Sequence, residues 1–246
     1  MLTLARMFDL PASARLVAWG NALLAGGVSP DEATDRIVGD DPPHRVAGLP
    51  AEPAPVGVSL ALGRLRSGGV SALRLVLPVP GDPGGLPGPP AVNAVALEAG
   101  EAALTADGVS LALVPAGRAA WQVYDVAASR LSLPSLAEAE RMLTEELRDC
   151  ADELLRLDVA RWAPEAATFL REREHTTAPV LPSTYPLKAH AILERGLRLT
   201  ALADLGSRSE SAAVNASEMS QRTAVLSRLA AAARRAVEAA CNCPQL

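Results

Sequence analysis

The sequence predicts an α+β fold: a mainly antiparallel sheet in the middle of the chain, packed with an N-terminal αα-hairpin and a C-terminal bundle of long helices. Three observations predict it. Start and stop residues bracket two short apolar segments between residues 11 and 38. Between residues 57 and 126, apolar side chains alternate at period two and are punctuated by Gly and Pro. From Pro134 onward, apolar side chains recur at intervals of three and four in highly charged stretches.

The N-terminal part comes first. Residues 11–25 read as an amphipathic helix that begins at Pro11 and stops at Gly26-Gly27. Ser29 reads as an N-cap, with Pro30 at the first helical position and Asp31 and Glu32 in the first turn, so a second helix runs to Val38. Residues 39–56 read as a polar, Pro-rich connection.

Residues 57–79 read as a β-hairpin. Val58, Leu60 and Leu62 alternate, as do Leu73, Leu75, Leu77 and Val79, around Arg66-Ser67-Gly68-Gly69. Pro78 and Pro80 place the second strand at an edge. Residues 91–100 fit a short helix between Pro90 and Gly100, with a strand as the alternative. Strands follow at 101–106 and 109–115, joined by Asp107-Gly108, and at 119–126.

In the C-terminal part, Ser135 caps a long helix whose Leu143, Leu147, Cys150, Leu154 and Leu157 are spaced 4-3-4-3 as a packing seam, running to about Trp162. Pro164 opens a further helical stretch to Glu174. Prolines break 175–186, a helix covers 187–205 up to Gly206, and a last helix covers 208–240. Its inward positions read as Ala212, Ala216, Met219, Thr223, Leu226, Ala230, Ala233, Val237 and Ala240. Taken together, residues 1–246 read as one domain with a helical hairpin at 1–45, a sheet-rich part at 55–128 and a helical part at 134–241.

Composition narrows the function. Hydrophobic residues are 49% of the chain but aromatic ones only 3%, so Ala, Leu and Val must build the core. Of 23 basic residues only Lys188 is a lysine, as GC-rich coding produces, and the net charge is −5. A phosphate-binding surface needs a basic face, so nucleic acid is not an expected partner. The second helix of the N-terminal hairpin carries Asp31, Glu32 and Asp35 against Arg36, which speaks against DNA reading. No apolar run of about 20 residues suggests a membrane span, and the N-terminus lacks the pattern of a secretion signal. Three cysteines fit a reducing cytoplasm.

Candidate sites are few. The loop Gly81–Pro90 holds Pro83, Gly84, Gly85, Leu86 and Pro87. Its prolines delete N–H donors and it has no Lys, Ser or Thr, so it does not resemble a phosphate loop. A Pro-stiffened loop loses little entropy on docking, so these five residues are the candidate partner-binding loop. His175, Tyr185, Lys188, His190, Glu194 and Arg195 cluster in sequence and form a candidate ligand site, with His190 and Glu194 one helical turn apart. Cys241 and Cys243 fit a frayed tail with free thiols better than a metal site, since further ligands are scattered. No metal or other cofactor is expected, and no nucleophile-elbow motif is present.

Residues 135–174 hold 6 basic and 11 acidic side chains, a balance of −5, and residues 175–246 hold 8 and 5, a balance of +3. Opposite signs favour antiparallel packing within a bundle or association between chains. The expectation is a cytoplasmic, non-enzymatic interaction or regulatory protein that binds a protein partner, or itself, through its helices and Pro/Gly loop. The alternative is a small-molecule-binding protein or enzyme with a site between the sheet and residues 175–195.

Overall fold

A computed structural model describes residues 10–128, 134–156, 181–208 and 216–243. Where the sequence reads as one domain in three parts, the chain clusters into two compact units. A sheet unit comprises 10–133, 180–186 and 241–246, and a helical unit comprises 1–9, 134–179 and 187–240. The described residues form seven helices and a six-stranded mixed sheet, an α+β architecture with the sheet in the middle of the chain.

The sheet unit opens with α1 (Ala12–Leu24) and α2 (Pro30–Val38). Ser29 caps α2 by accepting a hydrogen bond from the Glu32 N–H, as the sequence predicts. Helix α1 has no side-chain cap of its own at Pro11. Instead the Glu101 carboxylate accepts from the Ser13 N–H at 2.6 Å. Ala14, Leu16, Val17, Ala18, Trp19, Ala22 and Leu24 of α1 are all buried, so this helix is apolar on nearly every side.

The strands are β1 (Arg45–Ala47), β2 (Val56–Gly57), β3 (Leu73–Val76), β4 (Ala102–Thr105), β5 (Leu111–Pro115) and β6 (Ala120–Asp125). They are ordered β2-β1-β6-β5-β4-β3. Only β1 and β6 pair in parallel, with Val46 opposite Trp121. Two of these strands lie in the stretch 39–56 that reads as a plain connection; at three and two residues they are too short to show a period. Between β4 and β5, Gly108 has φ +64°, and a Cβ there would sit 2.5 Å from the Gly69 backbone, so this turn requires glycine.

The hairpin expected over 57–79 is corrected. Its first arm is α3 (Val58–Ser67), and only β3 is a strand. Val58, Ala61, Leu62 and Leu65 are buried, at intervals of three, one and three, whereas Leu60 is 49% exposed. The alternation of Val58, Leu60 and Leu62 therefore hides a helical stripe. Gly68-Gly69 ends that helix: the Gly68 N–H donates to the Arg64 and Leu65 carbonyls. Residues 91–100 resolve as the helix α4 (Pro90–Ala99), with Gly100 left-handed at its C-terminus. Val92 and Ala96 of α4 pack on Val76, Ala102, Leu104, Ala112 and Val114.

Strand β3 is an edge, and two asparagines close it. Asn21 of α1 accepts from the Leu73 N–H at 2.7 Å and donates to the Leu73 carbonyl at 2.9 Å. Asn242 does the same at Leu75, at 2.7 and 2.9 Å. Each side-chain amide thus replaces one residue of a missing neighbour strand. The buried Tyr185 hydroxyl donates to the Cys241 carbonyl at 3.0 Å, one residue before Asn242.

The helical unit contains α5 (Leu136–Arg156), α6 (Leu187–Arg208) and α7 (Ala216–Asn242), whose last two residues belong to the sheet unit. Ser135 and Glu138 form a reciprocal capping box at the start of α5. In the α5 seam Leu143 and Cys150 are buried and Leu147 and Leu154 half-buried; Leu157 and the stretch 164–174 lie outside the described residues. Helix α6 does not end at Gly206 but continues to Arg208. A Cβ on Gly206 would lie 2.9 Å from Leu226 Cδ1, and one on Gly196 would lie 2.9 Å from Val237 Cγ2. These glycines are sites of close helix approach, and the order of the contacts makes α6 and α7 antiparallel. Along α7, Leu226, Ala233, Val237 and Ala240 are buried as expected and Ala230 half-buried, but Met219 and Thr223 are exposed. The expected inward seam therefore starts only at Leu226; Ala212 and the Ala216 side chain lie outside the described residues. No described helix is long and apolar enough to cross a membrane.

Replacing Asn21 by leucine removes both bonds to β3 and leaves the buried Leu73 backbone unserved. The unfolding free energy should fall by about 2–4 kcal/mol, read as a lower urea midpoint at unchanged slope. An Asn21→Leu protein as stable as the parent would show that the amide does not hold this edge.

Candidate functional site

The expected partner-binding loop is built and fastened. Val79 and Asp82 exchange backbone hydrogen bonds at 2.9 Å where it leaves β3. The Leu86 N–H donates to the Pro83 carbonyl at 3.2 Å, and the Gly88 N–H to Asn93 Oδ1 at 2.9 Å. Leu86 itself packs against the Val76 and Val92 cluster. Gly84 and Gly85 have φ of +60° and +75°. Pro83 and Gly85 are exposed, while Gly84, Leu86 and Pro87 are half-buried. The loop thus presents a fixed outer rim on an anchored base.

The second expected cluster is divided between the units. Tyr185 belongs to the sheet unit, where it is 2% exposed and holds Cys241. Lys188, His190, Glu194 and Arg195 belong to the helical unit, and His175 lies outside the described residues. Lys188 Nζ pairs with Glu140 at 2.7 Å and holds that carboxyl below its ordinary pKa. Arg195 donates to Thr144 Oγ1 at 3.0 Å, so both cations fasten α6 to α5. Glu194 pairs with Arg198 at 2.6 Å, and His190 is half-buried. The frayed tail expected around Cys241 is corrected: Cys241 is fully buried and Asn242 is helical, because both take part in closing β3. Among the described residues no group of three or more His, Cys, Asp or Glu is placed to hold a metal ion.

A polar cluster that sequence reading passed over lies in the stretch 39–56. Asp41 accepts from Arg15 Nη2 at 2.9 Å and from Arg118 Nε at 2.8 Å. It thereby joins α1 to the β5–β6 turn. The two guanidiniums hold its carboxyl at a pKa of about 2. His44, 2% exposed, accepts from Trp121 Nε1–H through Nδ1 at 3.2 Å. Its other nitrogen, Nε2, lies 3.7 Å from Asp41. The Trp121 bond requires a bare Nδ1, so the neutral ring carries its proton on Nε2. Burial, then the nearby Arg15, lower the His44 pKa below 6.5, against a smaller opposing pull from Asp41. The individual residue types give no signal, because the partners lie 26 and 77 positions apart.

On the helical unit an open groove of about 420 Å³ runs between α5 and α7. Met142, Glu145, Glu146 and Asp149 form one wall. Arg228, Ala231, Ala232 and Arg235 form the other. Arg228 reaches Glu146 at 3.0 Å and Glu153 at 2.6 Å, and these bonds raise its pKa further. From that pair the groove extends toward Met142 on one helix and Arg235 on the other, which sets α5 and α7 antiparallel. Opposite charge on the two halves of the C-terminal sequence is thus used across this groove. Met142, 36% exposed, brings apolar surface to it.

Residues 13–135 match the N-terminal domain of the Rv1486c-like protein family, and residues 137–238 match its C-terminal domain. The chain belongs to the Rv1486c-like family. The border between the two family domains, at 135–137, falls beside the border between the two compact units at 133–134. No curated protein and no solved structure matches the chain. The Pro/Gly loop and the Asp41–His44 cluster lie in the part matched by the Rv1486c-like N-terminal domain, and the groove in the part matched by the C-terminal one.

The His44 geometry sets a pH dependence. Its folded pKa is below the unfolded one, so between the two values the unfolded chain binds the extra proton. Stability from this group is full above pH ~6.5 and declines as the pH falls, by at most about 1.4 kcal/mol per pH unit. Denaturant titrations from neutral to mildly acidic pH should show this decline in the parent and a flatter profile in His44→Gln. Equal slopes in the two proteins would rule out a buried neutral His44.

Proposed function

We propose that this member of the Rv1486c-like family is a non-enzymatic protein that acts by binding a protein partner. The observation that carries this is the α5–α7 groove: open, walled by opposite charges, with Ala231 and Ala232 between the arginines of one wall and Met142 on the other. Small wall residues let an incoming helix approach closely, and methionine adapts its shape to an apolar partner surface. The loop Gly81–Pro90 supports the same function from the sheet unit. Its exposed Pro83 and Gly85 sit on a base already fixed by hydrogen bonds and by Leu86, so docking orders little that is not ordered beforehand.

The test is recovery of the tagged full chain from native cell extract, quantified against an untagged control. Met142→Lys and a Pro83→Ala, Pro87→Ala, Pro89→Ala triple variant serve as parallel baits. The parent should retain a partner at near-equal stoichiometry. At least one variant should lose it about tenfold, the equivalent of about 1.4 kcal/mol of binding, while melting within a few degrees of the parent. Equal recovery with all three baits would remove both surfaces from consideration. A parent bait that enriches nothing would count against protein binding altogether.

A further inference from the structure

We infer that the α5–α7 groove binds the same groove of a second copy of this chain, about a two-fold axis running along it. The inference rests on the groove being a docking face. What selects the occupant is the charge layout. Glu145, Glu146 and Asp149 make one wall acidic, with Glu145 held at 2.9 Å by the exposed Arg141 of its own helix, and Arg228 and Arg235 make the other basic. A partner of a single charge sign is repelled by one wall. A fitting partner carries two rows of opposite sign, side by side, at the spacing of two packed helices. This chain presents such a surface itself.

Symmetry then decides the arrangement. A two-fold axis across the groove would set acidic wall on acidic wall. An axis along the groove exchanges left and right, so α5 of each copy lies over α7 of the other. Rotation about that axis keeps each residue's height along the groove, so residues level with each other in one chain also face each other between copies. Glu145 then approaches the region of Arg235 in the second copy, and Asp149 that of Arg228. The small Ala231 and Ala232 let the two faces close together, and Met142 contributes the apolar contact at one end.

The experiment is sedimentation velocity on the full chain from about 1 μM to about 100 μM, at about 0.05 M and about 1 M salt. Two variants are compared, Glu145→Arg and Arg235→Glu, alone and mixed in equal amounts. The parent should dimerise, more weakly at high salt. Each variant alone sets like charges against each other twice and should be monomeric. The mixture restores two attractive contacts, Arg against Glu and Arg against Glu, and should dimerise again. Misfolding cannot produce that recovery. A parent that stays monomeric throughout, a dimer that survives both reversals, or a mixture that stays monomeric would each overturn the inference. A monomeric parent that still loses a different partner on Met142→Lys would overturn self-association and leave the groove as a docking face. A monomeric parent with no partner would remove both.

Discussion

The outer edge of β3 is the constraint on which the sheet unit depends. A four-residue edge strand offers unpaired N–H and carbonyl groups, and leaving them buried without partners costs free energy at each one. Among the described residues no seventh strand covers Leu73 and Leu75. Two asparagine amides do, one from the first helix and one from the last. An amide carries a donor and an acceptor at the separation a strand residue would present, so each serves a full backbone pair. The bonds span 52 and 167 positions of sequence. Closing them draws α1 onto the sheet and holds the final turn of α7 in the sheet unit. Tyr185 secures that turn by holding the carbonyl of Cys241.

Polar closure matters in this chain because large apolar anchors are scarce. Aromatic residues are 3% of the sequence, and alanines each bury little area. The compensation is close approach. Gly196 and Gly206 let α6 and α7 meet with no room for a Cβ. Elsewhere the helices and turns are joined by hydrogen-bonded groups with several partners: Asp41 joins α1 to the β5–β6 turn through Arg15 and Arg118, and Glu101 caps α1 from the start of β4. Burial pushes the Glu101 pKa up while its backbone bonds pull it down, with burial prevailing. Such groups specify which elements meet where apolar packing alone would accept several registers.

Local chemistry was legible in the sequence wherever a single short segment carried the whole signal. Ser29, Ser135 and the Pro90–Gly100 bracket mark α2, α5 and α4, and period-two runs mark β4, β5 and β6. Residues 58–67 failed because apolar side chains at 58, 60 and 62 fit period two while those at 58, 62 and 65 fit a helical stripe, and only the burial of Ala61 against the exposure of Leu60 separates them. Gly206 failed for a related reason. A glycine after an apolar helix stops it or lets a neighbour in, and the neighbour, Leu226, is twenty residues away. The same limit governs the sites. Residues 175–195 stood out for their density of functional side chains, yet Lys188 and Arg195 are used to fasten α6 to α5. Asp41 and His44 sat in a stretch that looked like a connection. The groove required α5 and α7 to be brought together, although the charges on its walls were visible in the sequence all along.

Those charges do little for stability. Arg228, Lys188 and Glu140 are near half-exposed and the Arg228 partners Glu146 and Glu153 a quarter to a third, and pairs in that setting contribute about 0–1 kcal/mol each. A segment with 11 acidic residues followed by one with a net positive balance is therefore not explained by what holds the helical unit together. The close approach of Gly196 to Val237 and of Gly206 to Leu226 joins α6 to α7 without charge. Charge separation acts where neutral packing is indifferent, in choosing which helix faces meet and in which direction. Within one chain it orients α5 against α7 through Arg228. The same two rows continue toward Glu145 and Arg235 along the open groove, and it is on this continuation that the proposed docking face rests.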